Sequence, residues 1–211
     1  MRFASPSPLY AITPDTADTP ALLCALEAVL STRPALLQYR NKCLGSAGKR
    51  AQAGAVAGLC RDYGVPLVVN DDPTLARMVR AQGVHLGRDD GDLAQARQML
   101  GPDAIIGVSC YNDAALARQA ACAGADYVAM GAVFPSATKP QAVRVTTDAL
   151  AGVCAQVDVP VVAIGGITLD NAPGVLATGV RLLAVISDVF DAVQPGIRAQ
   201  AYAGLLRSAS D

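Results

Sequence analysis

The residues best suited to chemistry lie in short polar clusters, each closing an apolar run. Gln38, Arg40 and Lys42 alternate in Gln38-Tyr39-Arg40-Asn41-Lys42. In an extended backbone, period-two spacing directs all three to one side. Two cations and an amide converging there suit a phosphate or diphosphate. Asn70-Asp71-Asp72 and His85-Leu86-Gly87-Arg88-Asp89-Asp90 close the next runs. Asp71 and Asp90 together could hold Mg²⁺, which keeps several waters and takes one or two carboxylates plus phosphate oxygens. The alternative is that each caps the helix that follows. Asp72, just before Pro73, and Asp92 fit that role better, which leaves Asp71 and Asp90 available as ligands. Between Pro135 and Pro140 stand Ser136, Thr138 and Lys139. Their hydroxyls are short, orientable donors and the ammonium is a point charge, so the loop can cradle an anion. A solvated surface turn has the same composition.

These clusters recur because a βα unit recurs. Strands are predicted at Leu9–Thr13, Ala35–Arg40, Pro66–Asn70, Gly83–Gly87, Ile105–Ser109, Tyr127–Gly131, Val159–Gly165 and Leu182–Ser187. Helices are predicted at Pro20–Ser31, Ala47–Tyr63, Pro73–Ala81, Leu93–Leu100, Asp113–Ala123, Thr147–Val157, Asn171–Ala177 and Gly196–Arg207. The strands are continuous apolar runs, as expected when both faces are covered. The turns that feed them carry Gly64, Gly83, Gly101, Gly124 and Gly179, read as left-handed helix C-caps. About eight such units in this length predict one (β/α)₈ TIM barrel spanning residues 1–211, with an open doubly wound sheet as the alternative. Barrel chemistry sits at the C-terminal ends of the strands, where the polar clusters fall. Gly165-Gly166 after strand 7 and Ile186-Ser187 after strand 8 fit the backbone phosphate site that such barrels build from those loops. His85 is read as a partly buried, satisfied residue of the barrel wall with no catalytic role.

Composition narrows the function classes. The chain has 211 residues, 52% of them apolar, and a formal net charge of −1. That charge leaves no footprint for nucleic acid or an anionic membrane. The longest apolar stretches, such as Val159–Ile164 and Leu182–Ile186, are far shorter than the ~20 residues of a membrane helix. The N-terminus lacks the long apolar region of a signal peptide. Cys24, Cys43, Cys60, Cys110, Cys122 and Cys154 form no CxxC pair and are read as buried free thiols of a cytoplasmic protein. Two anion sites at one mouth imply two phosphorylated small-molecule substrates, or one doubly phosphorylated one. The oligomeric state stays open, a homo-oligomer included.

The motifs YAITPD, QYRNK, VVNDD, GVHLGRDD, IIGVSCYN, YVAMGAVFPSATKP, VVAIGGIT and AVISDVF resemble the thiamine phosphate synthase family in order and spacing over nearly the whole chain. The resemblance implies a Mg²⁺-dependent transferase that joins a hydroxymethylpyrimidine diphosphate to a thiazole phosphate, yielding thiamine monophosphate and diphosphate. It implies that Gln38, Arg40, Lys42, Asn70, Ser109 and Lys139 form the pyrimidine diphosphate site. Asp71 and Asp90 then become the Mg²⁺ ligands. Ser136, Thr138, Gly166, Ile186 and Ser187 become the thiazole phosphate site, and Lys139, Arg40 and Ser109 the catalytic set. The implied mechanism is dissociative: diphosphate leaves, a pyrimidine-methyl cation forms, and the thiazole nitrogen attacks it. The family usually has an acidic residue at Asn41, Gln at Arg88, His at Tyr111 and Thr at Ser136. Asn41 and Arg88 are expected to make the mouth more positive. Two alternatives from the same barrel family are a thiazole tautomerase and a non-catalytic phosphate-binding regulator. The tautomerase needs a histidine where Ala132 stands, and the regulator would lack Asp71, Asp90 or Lys139.

Overall fold

The computed structural model describes residues 7–135 and 143–205. Its elements run β1 Leu9–Ile12, α1 Thr19–Leu30, β2 Leu36–Tyr39, α2 Ser46–Tyr63, β3 Leu67–Asn70 and α3 Pro73–Val79. Then come β4 Gly83–Leu86, α4 Leu93–Leu100, β5 Ile105–Tyr111, α5 Ala114–Cys122, β6 Tyr127–Gly131 and α6 Thr147–Cys154. The chain ends with β7 Val161–Ile164, α7 Ala172–Leu176, β8 Leu182–Val185, α8 Ser187–Phe190 and α9 Pro195–Gly204. The strands are parallel and pair in chain order, and β8 closes onto β1. The fold is the predicted (β/α)₈ barrel, and the open sheet is ruled out.

Strand alternation sorts the core into two layers. Residues such as Leu9, Leu37, Val69, Val84, Ile106 and Val128 pack outward under the helices. Tyr10, Ile12, Leu36, Val68, Tyr127 and Val162 form a separate cluster inside the barrel. Gly107 is what admits the Tyr127 ring to that interior: a Cβ at Gly107 would lie 1.9 Å from Tyr127 Cζ.

The helices start where the sequence offers a cap. Asp18, Asp72, Asp92, Asp113 and Thr146 each accept a first-turn backbone N–H. Such caps satisfy amides that have no intrahelical partner.

Several local expectations are corrected. Gly83 is not a helix cap. It begins β4, where a Cβ would lie 1.8 Å from the Ile105 carbonyl oxygen, and Arg80 takes the left-handed cap of α3 at φ +57°. Strand 5 continues past Ser109 to Tyr111 through a register shift. Strand 8 stops at Val185, because Ser187 begins a short helix that the sequence did not announce. The cysteines are free, but only Cys60 and Cys110 are buried, while Cys24, Cys43 and Cys122 are exposed. Burial pushes the Cys60 and Cys110 thiols up to about 12, so neither ionises near neutrality. No helix among the described residues is long and apolar enough to cross a membrane.

Candidate active site at the barrel mouth

The predicted residues of strands 2 to 5 gather at one end of the barrel, but they do not all face the same way. Gln38 points inside and is buried; its Nε2 donates to the Tyr10 hydroxyl at 2.7 Å. Arg40 and Lys42 lie beyond the end of β2. The Arg40 guanidinium meets the Asp15 carboxylate at 2.7 Å, and the other Asp15 oxygen accepts the Lys42 backbone N–H at 2.7 Å. Thr13, at the end of β1, exchanges hydrogen bonds with the Arg40 main chain, accepting its N–H at 2.8 Å and donating to its carbonyl at 2.7 Å. Arg40 is therefore fixed in backbone and side chain before any ligand arrives.

The Lys42 ammonium lies 3.9 Å from the Asp71 carboxylate. Asp71 sits at a left-handed φ of +65°, and its N–H donates to the His85 carbonyl at 2.8 Å. Burial holds the Asp71 carboxyl up at about 6, helped by its hydrogen bond to Asp90 and that group's charge, while Lys42 and Arg40 pull the other way. Two carboxyl groups held together under such tension are a donor set that suits a divalent cation with open positions. Asp90 is also used locally, since its Oδ2 accepts the Gly87 N–H at 2.8 Å. Among the described residues no third His, Cys, Asp or Glu completes a metal cluster. As expected, Asp72 and Asp92 are occupied as helix caps. Beside Asp71 a cavity of about 350 Å³ is lined by Lys42, Asn70 and Asp72 together with Lys49 from α2.

Below this mouth a run of hydrogen bonds crosses the barrel interior. It passes from Gln38 to Tyr10, from Tyr10 to the Tyr127 hydroxyl at 2.7 Å, and from Tyr127 to His85 Nδ1 at 3.0 Å. It ends where His85 Nε2 meets Ser109 Oγ at 2.9 Å. The His85 ring also stacks on Tyr127, with centroids 5.6 Å apart. Burial raises the Tyr10 and Tyr127 phenols well above the ordinary tyrosine range, so both stay protonated and can donate. His85 is buried and hydrogen-bonded as expected, but it touches a predicted site residue rather than forming passive wall.

On the far side of the mouth, Gly165 and Gly166 take positive φ values of +101° and +62°. A Cβ at Gly166 would lie 2.3 Å from the Pro135 carbonyl oxygen, so the close approach there is partly to the chain itself. Asn171 donates to the Gly166 carbonyl at 3.0 Å and pins the turn. Ile186 precedes α8 and Ser187 begins it; Asp188 turns away and binds the Tyr202 hydroxyl at 2.7 Å. Ser136, Thr138 and Lys139 lie outside the described residues.

Asn41 is held by local partners. It is buried, donating to the Thr16 carbonyl at 2.7 Å and to Gln52 Oε1 at 2.8 Å, and it lines the cavity beside Asp71 as a neutral, locally bonded amide. Sequence reasoning missed Asp15, Thr13, Tyr10, Tyr127 and Lys49. One signal was legible: tyrosines at inward positions of barrel strands need polar partners when buried.

Comparison with known proteins gives the family. The family model TMP-TENI, thiamine monophosphate synthase, matches residues 9–189. A thiamine-phosphate synthase of Azoarcus sp. (strain BH72) is 57% identical over 93% of this chain and 96% of its own length. One from Methylobacillus flagellatus is 53% identical over 92% of each chain. A solved structure of thiamine phosphate pyrophosphorylase from Pyrococcus furiosus superposes with a TM-score of 0.85 at 30% identity, covering 98% of both chains.

Proposed function

Because this chain belongs to the thiamine monophosphate synthase family, we propose that it joins 4-amino-5-hydroxymethyl-2-methylpyrimidine diphosphate to thiazole phosphate, giving thiamine monophosphate and diphosphate. The observation that carries the site reading is the Asp71–Asp90 carboxyl pair, with Lys42 at 3.9 Å and Arg40 close by, above an interior lined by Gln38 and Ser109.

In this reading Arg40, Lys42 and Asn70 bind the diphosphate. Gln38 and Ser109, held by the interior hydrogen bonds, orient the pyrimidine end. Asp71 and Asp90 would hold Mg²⁺, whose chemistry here is to neutralise charge gathering on the departing diphosphate. Lys139 supplies a point charge to the same leaving group. The turn at Gly166, with Ile186, Ser187, Ser136 and Thr138, takes the thiazole phosphate.

The residues suit a dissociative transfer. Near the pair stand cations and hydrogen-bond donors, which stabilise a leaving anion; the Ser109–His85 pair lies below them in the barrel interior, where this reading uses it to orient the pyrimidine. The sole histidine is engaged with Tyr127 and Ser109, and Ala132 stands where the tautomerase reading needs another. Six free cysteines support a reducing, cytoplasmic setting. The test is to incubate the chain with both substrates and Mg²⁺ and separate the products. Thiamine monophosphate should form only when both substrates are present. Isomerised thiazole phosphate with no coupled product would replace this reading with the tautomerase.

A further inference from the structure

Arg88 and Tyr111, two departures from the residues usual in the resembled family, sit against each other. The Arg88 guanidinium carbon lies 4.8 Å from the centroid of the Tyr111 ring. Beneath it, the Tyr111 hydroxyl accepts the Arg88 backbone N–H at 3.2 Å. The preceding amide, that of Gly87, donates to Asp90 Oδ2 at 2.8 Å. Two consecutive amides of one short turn are thus held by two oxygens, a phenol from β5 and the carboxylate of Asp90. Gly87 lets the carboxylate approach: a Cβ there would lie 2.6 Å from Asp90 Oδ2, while the Tyr111 hydroxyl at 3.8 Å would be in ordinary contact.

Tyr111 reaches this position by an uncommon backbone route. It follows the register shift in β5 and takes a left-handed φ of +55°. A bulky residue with positive φ is an outlier that persists only where its surroundings over-determine it, and such outliers gather at functional sites.

We propose that Tyr111 is a positioning residue for Asp90. Its hydroxyl braces the 87–90 turn and so sets the direction in which the Asp90 carboxylate faces Asp71. The Arg88 side chain lies over the ring of the brace. The inference rests on the Asp71–Asp90 pair being the metal site proposed above. It assigns no substrate contact to Tyr111.

The experiment reads metal binding rather than turnover. Mn²⁺ is titrated into the purified chain in the presence of inorganic diphosphate and followed by the loss of the free-ion electron paramagnetic resonance signal. Tyr111→Phe keeps the ring and removes only the oxygen. It should weaken Mn²⁺ binding about tenfold, the loss expected for a hydrogen bond to a charged group's support, while the thermal midpoint stays close to that of the parent. Asp90→Asn should weaken binding more, and adding Tyr111→Phe to it should cost little further, because the two act through one group. Arg88→Ala keeps the backbone amide and removes a positive charge, so it should leave Mn²⁺ affinity unchanged or tighter.

Unaltered affinity in Tyr111→Phe would overturn the proposal. So would fully additive losses in the double variant, or a loss in Arg88→Ala as large as that in Tyr111→Phe. A parent protein that takes up no Mn²⁺ with diphosphate would defeat the metal reading itself, and the positioning role with it.

Discussion

His85 Nε2 and Ser109 Oγ lie 2.9 Å apart, joining β4 to β5 just below the mouth. In the proposed reading His85 holds Ser109 in place, and its other nitrogen ties that pair to Tyr127. His85→Phe keeps a flat ring for the stack and removes both hydrogen bonds. It should lower stability by about 1–3 kcal/mol, the cost of leaving buried polar partners unsatisfied. It should also raise KM for the pyrimidine diphosphate. Combined with Ser109→Ala, the effect on KM should be much less than additive. Urea unfolding and steady-state kinetics on the three variants check both points.

Asp71 makes stability depend on pH in a definite direction. Its carboxyl titrates at about 6 in the fold against a reference of 3.8, because it is buried beside Asp90. The folded protein therefore binds an extra proton between those values. This contribution is fully present below about pH 4 and is lost as pH rises through about 6. The group is partly exposed, so after solvent screening the effect is of order 1 kcal/mol, about 2–4 °C in a chain of this size. Metal-free protein should show this decline, and Asp71→Asn should flatten it. Mg²⁺ should raise the melting temperature more at pH 7 than at pH 5, which calorimetry at both values would show.

The ion pair of Arg40 with Asp15 predicts a paired phenotype. Arg40→Ala should weaken the pyrimidine diphosphate about tenfold or more, as for a lost charge-assisted contact to phosphate. Asp15→Ala should lower affinity for the same substrate by a smaller factor, because the cation stays but loses its anchor. Affinity for the thiazole phosphate should hold in both. KM values for the two substrates, measured separately, check this.

Gly166→Ala should behave differently. It forces a side chain onto φ +62° and against the Pro135 carbonyl. Affinity for the thiazole phosphate should fall, together with a lower melting temperature. A loss confined to the pyrimidine diphosphate would contradict the two-site division.

How much of this was legible follows from what each residue signals locally. The strands are apolar runs bounded by turn residues, so the barrel could be read from periodicity. Asp71 and Asp90 could be told from Asp72 and Asp92 because caps have a sequence signature and their neighbours lack it. Asp15 closes the YAITPD motif, but its role could not be read there, because its partner Arg40 lies just beyond the end of the next strand. Tyr10 and Tyr127 read as ordinary apolar strand residues, because their pairing depends on barrel closure. Asn41 stands where the resemblance leads one to expect a carboxylate; its partners, the Thr16 carbonyl and Gln52, come from other parts of the chain and are visible only in the fold. Arg88 and Tyr111 drew notice singly, while their contact joins the ends of two strands and is visible only in three dimensions.

The Asp71–Asp90 pair is proposed above to assist, through a bound metal, the transfer of the pyrimidine-methyl group. The most direct measurement is diphosphate release with both substrates saturating, compared among the parent, Asp71→Asn and Asp90→Asn, with Mg²⁺ and with a chelator. The parent should release diphosphate in step with thiamine monophosphate and stop in chelator. Each variant should lose about 10²-fold or more in turnover, the scale for one group that stabilises transition-state charge, while staying folded. Full turnover by both variants in chelator would contradict the account.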